Sequence, residues 1–153
     1  MNIVVNQLVG QWAGSGNGAF PTLETFSYRE RLDVSEHDVG VVHYLQQTWR
    51  LSGGGEVGSH VETGFIAIHD DSTVEMLNAQ GADRVEVLDG RWSVDGETVS
   101  LELRSAALAH DDRMISSWRN ITVSDGKFSY DMGMATTAVP KGATHLTGML
   151  QRR

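Results

Sequence analysis

The chain has 153 residues, a formal net charge of −8 and no cysteine. This length fits one domain, residues 1–153, and the negative charge disfavours nucleic acid as a partner. Without cysteine, any metal must rest on nitrogen or oxygen ligands. No apolar stretch approaches membrane-spanning length and the N-terminus lacks signal-peptide features, which indicates a soluble, cytoplasmic protein without a membrane partner.

Apolar and polar residues alternate along almost the whole chain, which indicates β-strands. Asp-Gly pairs at residues 89–90, 95–96 and 125–126 are typical of tight hairpin turns. A short helical turn is expected at residues 6–8. We predict eleven strands, near residues 10–19, 25–36, 41–51, 59–69, 73–79, 83–88, 91–94, 98–107, 114–123, 127–137 and 144–152.

So many consecutive antiparallel strands would leave exposed edges unless the sheet closed on itself. The expected fold class is therefore all-β, a single antiparallel up-and-down β-barrel of about ten strands, similar to lipocalins and fatty-acid-binding proteins. Such a barrel is wide enough to hold one ligand. Two His-Asp-Asp runs, at residues 69–71 and 110–112, stand between apolar runs and are interpreted as polar turns rather than metal sites.

Glycines alternate in the first predicted strand. Gly10, Trp12, Gly14 and Gly16 share one strand face, because successive side chains point to opposite sides. Such a face indicates either a sharp bend of the strand or the close approach of a large group to its backbone. The pattern alone leaves both interpretations open.

The segment MATTAVPKGATHL, residues 134–146, contains the strongest candidate for a metal ligand, His145. By alternation His145 shares a face with Thr147 and Met149, and neither face of this strand is cleanly hydrophobic. Spacing alone therefore favours a surface histidine.

Together, the glycine motif and this segment make the chain resemble nitrobindins, small β-barrels that hold haem b through one histidine. The family has a Met-Ala-Thr-Thr run, then a proline, then a His-Leu pair whose histidine is the axial ligand, and residues 134–137, Pro140 and His145 match that pattern. The resemblance implies that His145 binds the haem iron and that the sixth position stays open. This chain has one more residue before the histidine than the family usually has, and we expect the loop at 141–143 to absorb it.

The resemblance covers nearly the whole chain. It implies that the haem surroundings include Thr22 of an aromatic-Pro-Thr segment, His60 and Gln80, together with Met134. Inside a haem barrel, four methionines would form a soft lining: Met76, Met132, Met134 and Met149.

The function that the resemblance implies is the conversion of peroxynitrite to nitrate at a ferric, solvent-accessible haem that also binds nitric oxide. No side chain is given a catalytic role beyond the iron. The protein is expected to be a monomer or a homodimer.

A second hypothesis is a carrier of a fatty acid or another small lipophilic ligand in the barrel lumen, without catalysis. Such a carrier should have an inward Arg or Lys to fix the carboxylate. The sequence does not show which face is occupied by the available cations, Arg29, Arg31, Arg104 and Arg119. Scattered glutamates are interpreted as outward strand positions, and they are Glu30, Glu62, Glu75 and Glu86.

Overall fold

The computed structural model describes residues 2–81 and 83–153. In these ranges ten antiparallel strands form a closed barrel, in which each strand pairs with its neighbours in the chain and β1 pairs with β10. The predicted all-β, up-and-down barrel is confirmed. The elements are α1 (Ile3–Leu8), β1 (Gly10–Phe20), β2 (Leu23–Asp38), β3 (Val41–Ser52), β4 (Gly55–Ile68), β5 (Thr73–Gln80), β6 (Arg84–Asp95), β7 (Thr98–Ala109), β8 (Met114–Ser124), β9 (Lys127–Thr136) and β10 (Ala143–Arg152).

Two of the three Asp-Gly pairs lie at hairpin turns, and the third does not. Asp125 and Gly126 have φ values of 50° and 68°, as a type I′ turn requires. Gly90, by contrast, lies inside β6 and pairs with Val74 on one side and Leu103 on the other. A Cβ at Gly90 would collide with the carbonyl oxygen of Glu102, so this glycine permits a close approach between strands. The prediction of two strands at 83–88 and 91–94 is therefore wrong.

The short helix α1, which contains the predicted turn at residues 6–8, closes one end of the barrel. The side-chain oxygen of Asn2 caps it by accepting a hydrogen bond from the Val4 amide at 2.9 Å. Val4, Val5 and Leu8 are buried, and Trp12 of β1 donates from Nε1 to the Leu8 carbonyl at 3.0 Å. No helix in the described ranges has the length and apolarity that a membrane crossing requires. The turns after β1, β3, β5, β7 and β9 surround the other end, which we call the mouth.

The alternating glycines of β1 make room for aromatic side chains inside the barrel. Gly16 pairs with Gly148 of β10, and the rings of Tyr28 and Tyr130 occupy the space that side chains at these two positions would fill. The two tyrosine hydroxyls meet at 2.5 Å. A Cβ at Gly14 would likewise collide with the backbone of β10. The glycine face of β1 therefore makes room for neighbouring strands and aromatic side chains of the protein itself.

A layer of polar side chains crosses the barrel above the apolar core. Arg119 donates to Glu62 at 2.5 and 3.1 Å and to Glu86 at 3.2 Å, and none of the three side chains is more than 5% exposed. Burial alone would raise the pKa of Glu62, but the Arg119 charge and hydrogen bonds from His60, Arg119 and Tyr44 lower it to about 2. Glu62 is therefore ionised at neutral pH and compensates the buried guanidinium.

Glu30 belongs to the same layer but contacts no cation among the residues that the structure describes. Its carboxylate accepts hydrogen bonds from Gln46 at 2.6 Å and from the Tyr130 hydroxyl. Burial is the largest influence on this group and raises its pKa to about 7. The prediction that the glutamates face outward is therefore wrong for Glu30, Glu62 and Glu86 and holds for Glu75.

Replacement of Gly16 by valine should destabilise the barrel by about 1–3 kcal/mol, because the added side chain overlaps the Tyr28 ring. The free energy of unfolding, measured by urea denaturation, tests this expectation. Gly58→Val is the matched control, since no atom lies within 4 Å of a Cβ at that exposed position of β4. Equal losses in the two variants would show that Gly16 does not relieve crowding.

Glu30→Gln should change the pH dependence of stability. Folding raises the pKa of Glu30 from 4.5 to about 7. The contribution of this group to the free energy of unfolding is therefore fully present below pH 4.5 and is lost as the pH rises through 7. Glutamine does not titrate, so the variant does not lose this contribution. Between pH 5 and pH 8 its free energy of unfolding should rise by about 1–3 kcal/mol relative to that of the wild type. Urea unfolding across this range measures the difference, with the surface variant Glu102→Gln as control. A difference that is independent of pH contradicts the raised pKa.

Candidate functional site

Between the polar layer and the mouth, the barrel contains a cavity of about 310 Å³. The lining includes apolar side chains, among them Phe26, Trp118, Met132, Met134 and Leu146. Its polar part includes His60, Gln80, Arg84 and Arg119. A more open groove of about 1150 Å³ adjoins it and shares Phe26 and His145 with it. The site therefore combines an apolar wall with a charged floor.

His145 stands at a β-bulge in β10. Thr144 pairs with Gly133 and Leu146 with Met132, so His145 is an extra residue between two registered pairs. In a regular strand His145 and Leu146 would face opposite sides, yet both line the cavity. The sequence analysis expects the loop at 141–143 to absorb the extra residue before the histidine; the structure has a register shift at His145, within β10.

The imidazole of His145 is held in one tautomer. Its Nδ1 donates a hydrogen bond to the Ala19 carbonyl at 3.1 Å, because a carbonyl oxygen can only accept. The rings of Phe20 and Phe26 contact it edge-on, with centroid distances of 5.6 and 6.2 Å. Burial lowers the pKa of His145 and favours the neutral ring. A neutral imidazole whose Nδ1–H is bound to a carbonyl leaves Nε2 available, which is the usual arrangement of a metal-ligating histidine.

The wall opposite His145 carries polar groups. In the ten-strand barrel four strands separate β5 from β10 on either side, so Gln80 at the end of β5 lies across the lumen from β10. Gln80 donates to Asn78 at 3.1 Å and to Glu86. His60 of β4 is about one-third exposed, and its Nε2 lies 3.3 Å from Glu62. Since the carboxylate accepts this hydrogen bond, Nε2 of His60 carries the proton and is not free to bind a metal.

The structure brings four of the sequence-predicted site residues together in this cavity: His60, Gln80, Met134 and His145. Thr22 is exposed in the turn between β1 and β2 and lines neither cavity nor groove. The motif residues of β1 also lie outside both linings, and they are Gly10, Trp12, Gly14 and Gly16.

The predicted methionine lining is only partly correct. Met132 and Met134 line the cavity, whereas Met76 is buried in the core. Met149 is 59% exposed on the outside of β10, where strict alternation after the bulge places it. The prediction that Met149 faces the lumen is therefore wrong.

The sequence analysis did not predict that Arg119 lies in the cavity, nor that Arg84, Asp111 and Arg113 form a cluster at its mouth. Arg119 shares its strand face with Ile121 and Val123, an apolar pattern that would have indicated an inward position. At the mouth, Asp111 accepts hydrogen bonds from Arg84 and Arg113, and no signal in the sequence connects these residues. The two His-Asp-Asp runs lie in the turns that follow β4 and β7, as the sequence analysis expects.

Comparisons with known proteins agree with this geometry. The chain matches the family described as THAP4-like, heme-binding beta-barrel domain over residues 4–152. It is 32% identical over 148 residues to an Arabidopsis thaliana protein named "Peroxynitrite isomerase Rv2717c", a match that covers 97% of this chain and 86% of the relative. A peroxynitrite isomerase of Mycobacterium leprae is 28% identical over 149 residues, with 95% and 91% covered.

The solved structures show the same barrel. The crystal structure of Rv2717c from M. tuberculosis matches with a TM-score of 0.89 at 25% identity, over 98% of this chain and 95% of that one. The S-type phycobiliprotein lyase CPES from Guillardia theta, with a TM-score of 0.69 at 9% identity, shares the fold alone. The nitrobindin resemblance is confirmed, and the neutral, oriented imidazole beside an apolar wall fits a haem. The chain belongs to the THAP4-like haem-binding β-barrel family, and its cofactor is haem.

Proposed function

We propose that the protein is a haem-dependent peroxynitrite isomerase in which His145 is the axial ligand of the iron. The proposal rests on the orientation and the protonation of the His145 side chain. Its Nδ1–H is engaged by the Ala19 carbonyl at 3.1 Å and burial favours the neutral ring, so Nε2 is the available donor. The names of relatives at 28–32% identity support the reaction.

The haem, when bound, supplies an iron centre at which an anionic oxidant or nitric oxide can bind and at which peroxynitrite can rearrange to nitrate. The Ala19 carbonyl orients the imidazole of His145. Phe26, Met134 and Leu146 provide an apolar wall that excludes water from one part of the lumen. Because peroxynitrite and nitrate are isomers with the same charge, the net reaction takes up no proton.

The opposite wall sets the polarity of the lumen. Gln80 and His60 are both bound to buried carboxylates, so their positions are fixed without a ligand. We assign them to the haem surroundings together with Met134. We also assign Thr22, in the turn between β1 and β2 at the mouth, to the haem surroundings.

The carrier hypothesis finds less support. Arg29, Arg31 and Arg104 are on the outer face of the barrel. Arg119 faces the lumen, but Glu62 and Glu86 already compensate its charge. Of the four cations considered, three therefore face outward and the fourth is already paired with carboxylates, so none is available to a fatty-acid headgroup.

His145→Ala should no longer bind one equivalent of haem, because it removes the neutral Nε2 donor from the cavity wall while the strands keep their pairing. Titration of the apoprotein with haemin, followed by the Soret band, measures the loss, and circular dichroism checks the fold. The exposed His37 on β2 provides the matched control, His37→Ala, which should bind haem as the wild type does. A Soret band of wild-type intensity and position in His145→Ala would exclude His145 as the ligand.

His60→Ala should retain haem and most of the peroxynitrite conversion, because the Nε2 of His60 is engaged by Glu62 and the reaction needs no proton donor. Stopped-flow decay of peroxynitrite by the ferric proteins compares the wild type, His60→Ala and His60→Gln. A loss of several orders of magnitude in the haem-loaded His60→Ala protein would identify His60 as a necessary partner of the iron.

A further inference from the structure

The mouth of the cavity carries a cluster of charged side chains, Arg84, Asp111 and Arg113, that the proposed function does not use. Arg84 is the first residue of β6, and its Nη2 donates to Asp111 Oδ2 at 2.8 Å. Arg113 donates to Asp111 from Nε and Nη2, both at 2.9 Å. The Asp111 side chain is only 5% exposed, so these contacts fix its position and that of Arg84.

Asp111 does not neutralise both arginines of the cluster. Hydrogen bonds from Arg113 hold the pKa of Asp111 well below its usual range, so Asp111 is ionised. One carboxylate is thus shared by two guanidinium groups. The exposed Asp83 acts on Arg113 through its charge, but the structure gives it no hydrogen bond to Arg84.

Arg84 also has an unused donor. Its side chain is 18% exposed and lines the cavity, and its Nε is buried without a hydrogen-bond partner in the described part of the chain. A guanidinium has five N–H donors, and within residues 2–81 and 83–153 only Nη2 of Arg84 is bound to a protein acceptor. A buried, charged donor at the edge of a ligand cavity is suited to an anionic acceptor that arrives with the ligand.

Arg84 and His145 line the same cavity. Three strands separate β6 from β10 on the shorter side of the barrel, so Arg84 lies in the wall that faces His145.

We propose that Arg84, oriented by Asp111, is an anion-binding residue of the cavity and that it receives an oxyanion, either a carboxylate of the haem or a small inorganic oxyanion. The identity of the ligand rests on the proposed function, whereas the anion site itself does not. Arg84 binds and positions the anion and takes no part in bond making.

The test compares Arg84→Gln, which removes the charge, with Arg84→Lys, which keeps a charge but lacks the Nε donor. Arg113→Gln is the matched control, since it removes one positive charge from the same cluster at a side chain that is 75% exposed. Thermal unfolding checks each variant. If Arg84→Gln fails to fold, Arg84→Lys carries the same comparisons.

In the first measurement, each apoprotein is titrated with haemin and with haemin dimethyl ester, which lacks the carboxylates. If a haem carboxylate is the ligand, Arg84→Gln should weaken haemin binding by about 10- to 100-fold and leave ester binding unchanged. In the second measurement, the haem-loaded ferric proteins are titrated with nitrite, an anion, and with imidazole, a neutral ligand. If a small oxyanion is the ligand, Arg84→Gln should weaken nitrite binding alone, and added salt should reduce the difference.

A third measurement needs no haem. In the ¹⁵N-labelled apoprotein, the Arg84 Nε–H resonance, identified by its loss in Arg84→Gln, should shift and saturate on titration with nitrite. Loss of haemin binding by the wild type would overturn the proposed function and leave this measurement to decide on Arg84. Normal haemin binding, with no selective effect of Arg84→Gln in the first two measurements and no shift of the Arg84 Nε–H resonance in the third, would overturn the anion site alone. Equal effects of Arg84→Gln and Arg113→Gln would also overturn it, because they would show a general effect of surface charge.

Discussion

A guanidinium buried between two carboxylates determines how the interior of this barrel is divided. Arg119 is bound by Glu62 and Glu86, and all three come from different strands. Removing either type of charge would leave the other unpaired in a region of low polarity, which costs far more than the pair contributes. The three groups therefore form as a unit, with an apolar core on the side of α1 and a ligand cavity on the side of the mouth.

The cavity depends on a second local constraint, the bulge at His145. A strand with strict alternation cannot turn both His145 and Leu146 to the same side. The bulge allows the imidazole to face the lumen while Leu150, further along β10, stays in the core. The hydrogen bond to Ala19 then ties this irregular residue to β1, so ligand geometry and barrel closure are stabilised by the same pair of strands.

The strands and their closure could be predicted because alternation is a local signal. The outward interpretation of Glu30 missed a local signal, because Glu30 shares a strand face with Tyr28, Leu32 and Val34, but its hydrogen-bond partner could not be predicted. The partner that buries Glu30 is Tyr130, which is 100 residues away. The same limit applies to Gly90, whose close contact with β7 cannot be distinguished locally from a turn. The resemblance supplied His145, His60 and Gln80, but the bulge that orients His145 depends on pairing with β9.

The closure of one barrel end by α1 has a consequence for traffic through the lumen. Val4, Val5 and Leu8 fill that end with apolar side chains, so small molecules enter and leave the cavity past the same ring of turns. Exchange with solvent is therefore one-sided, and a molecule leaves the lumen through the end by which it entered.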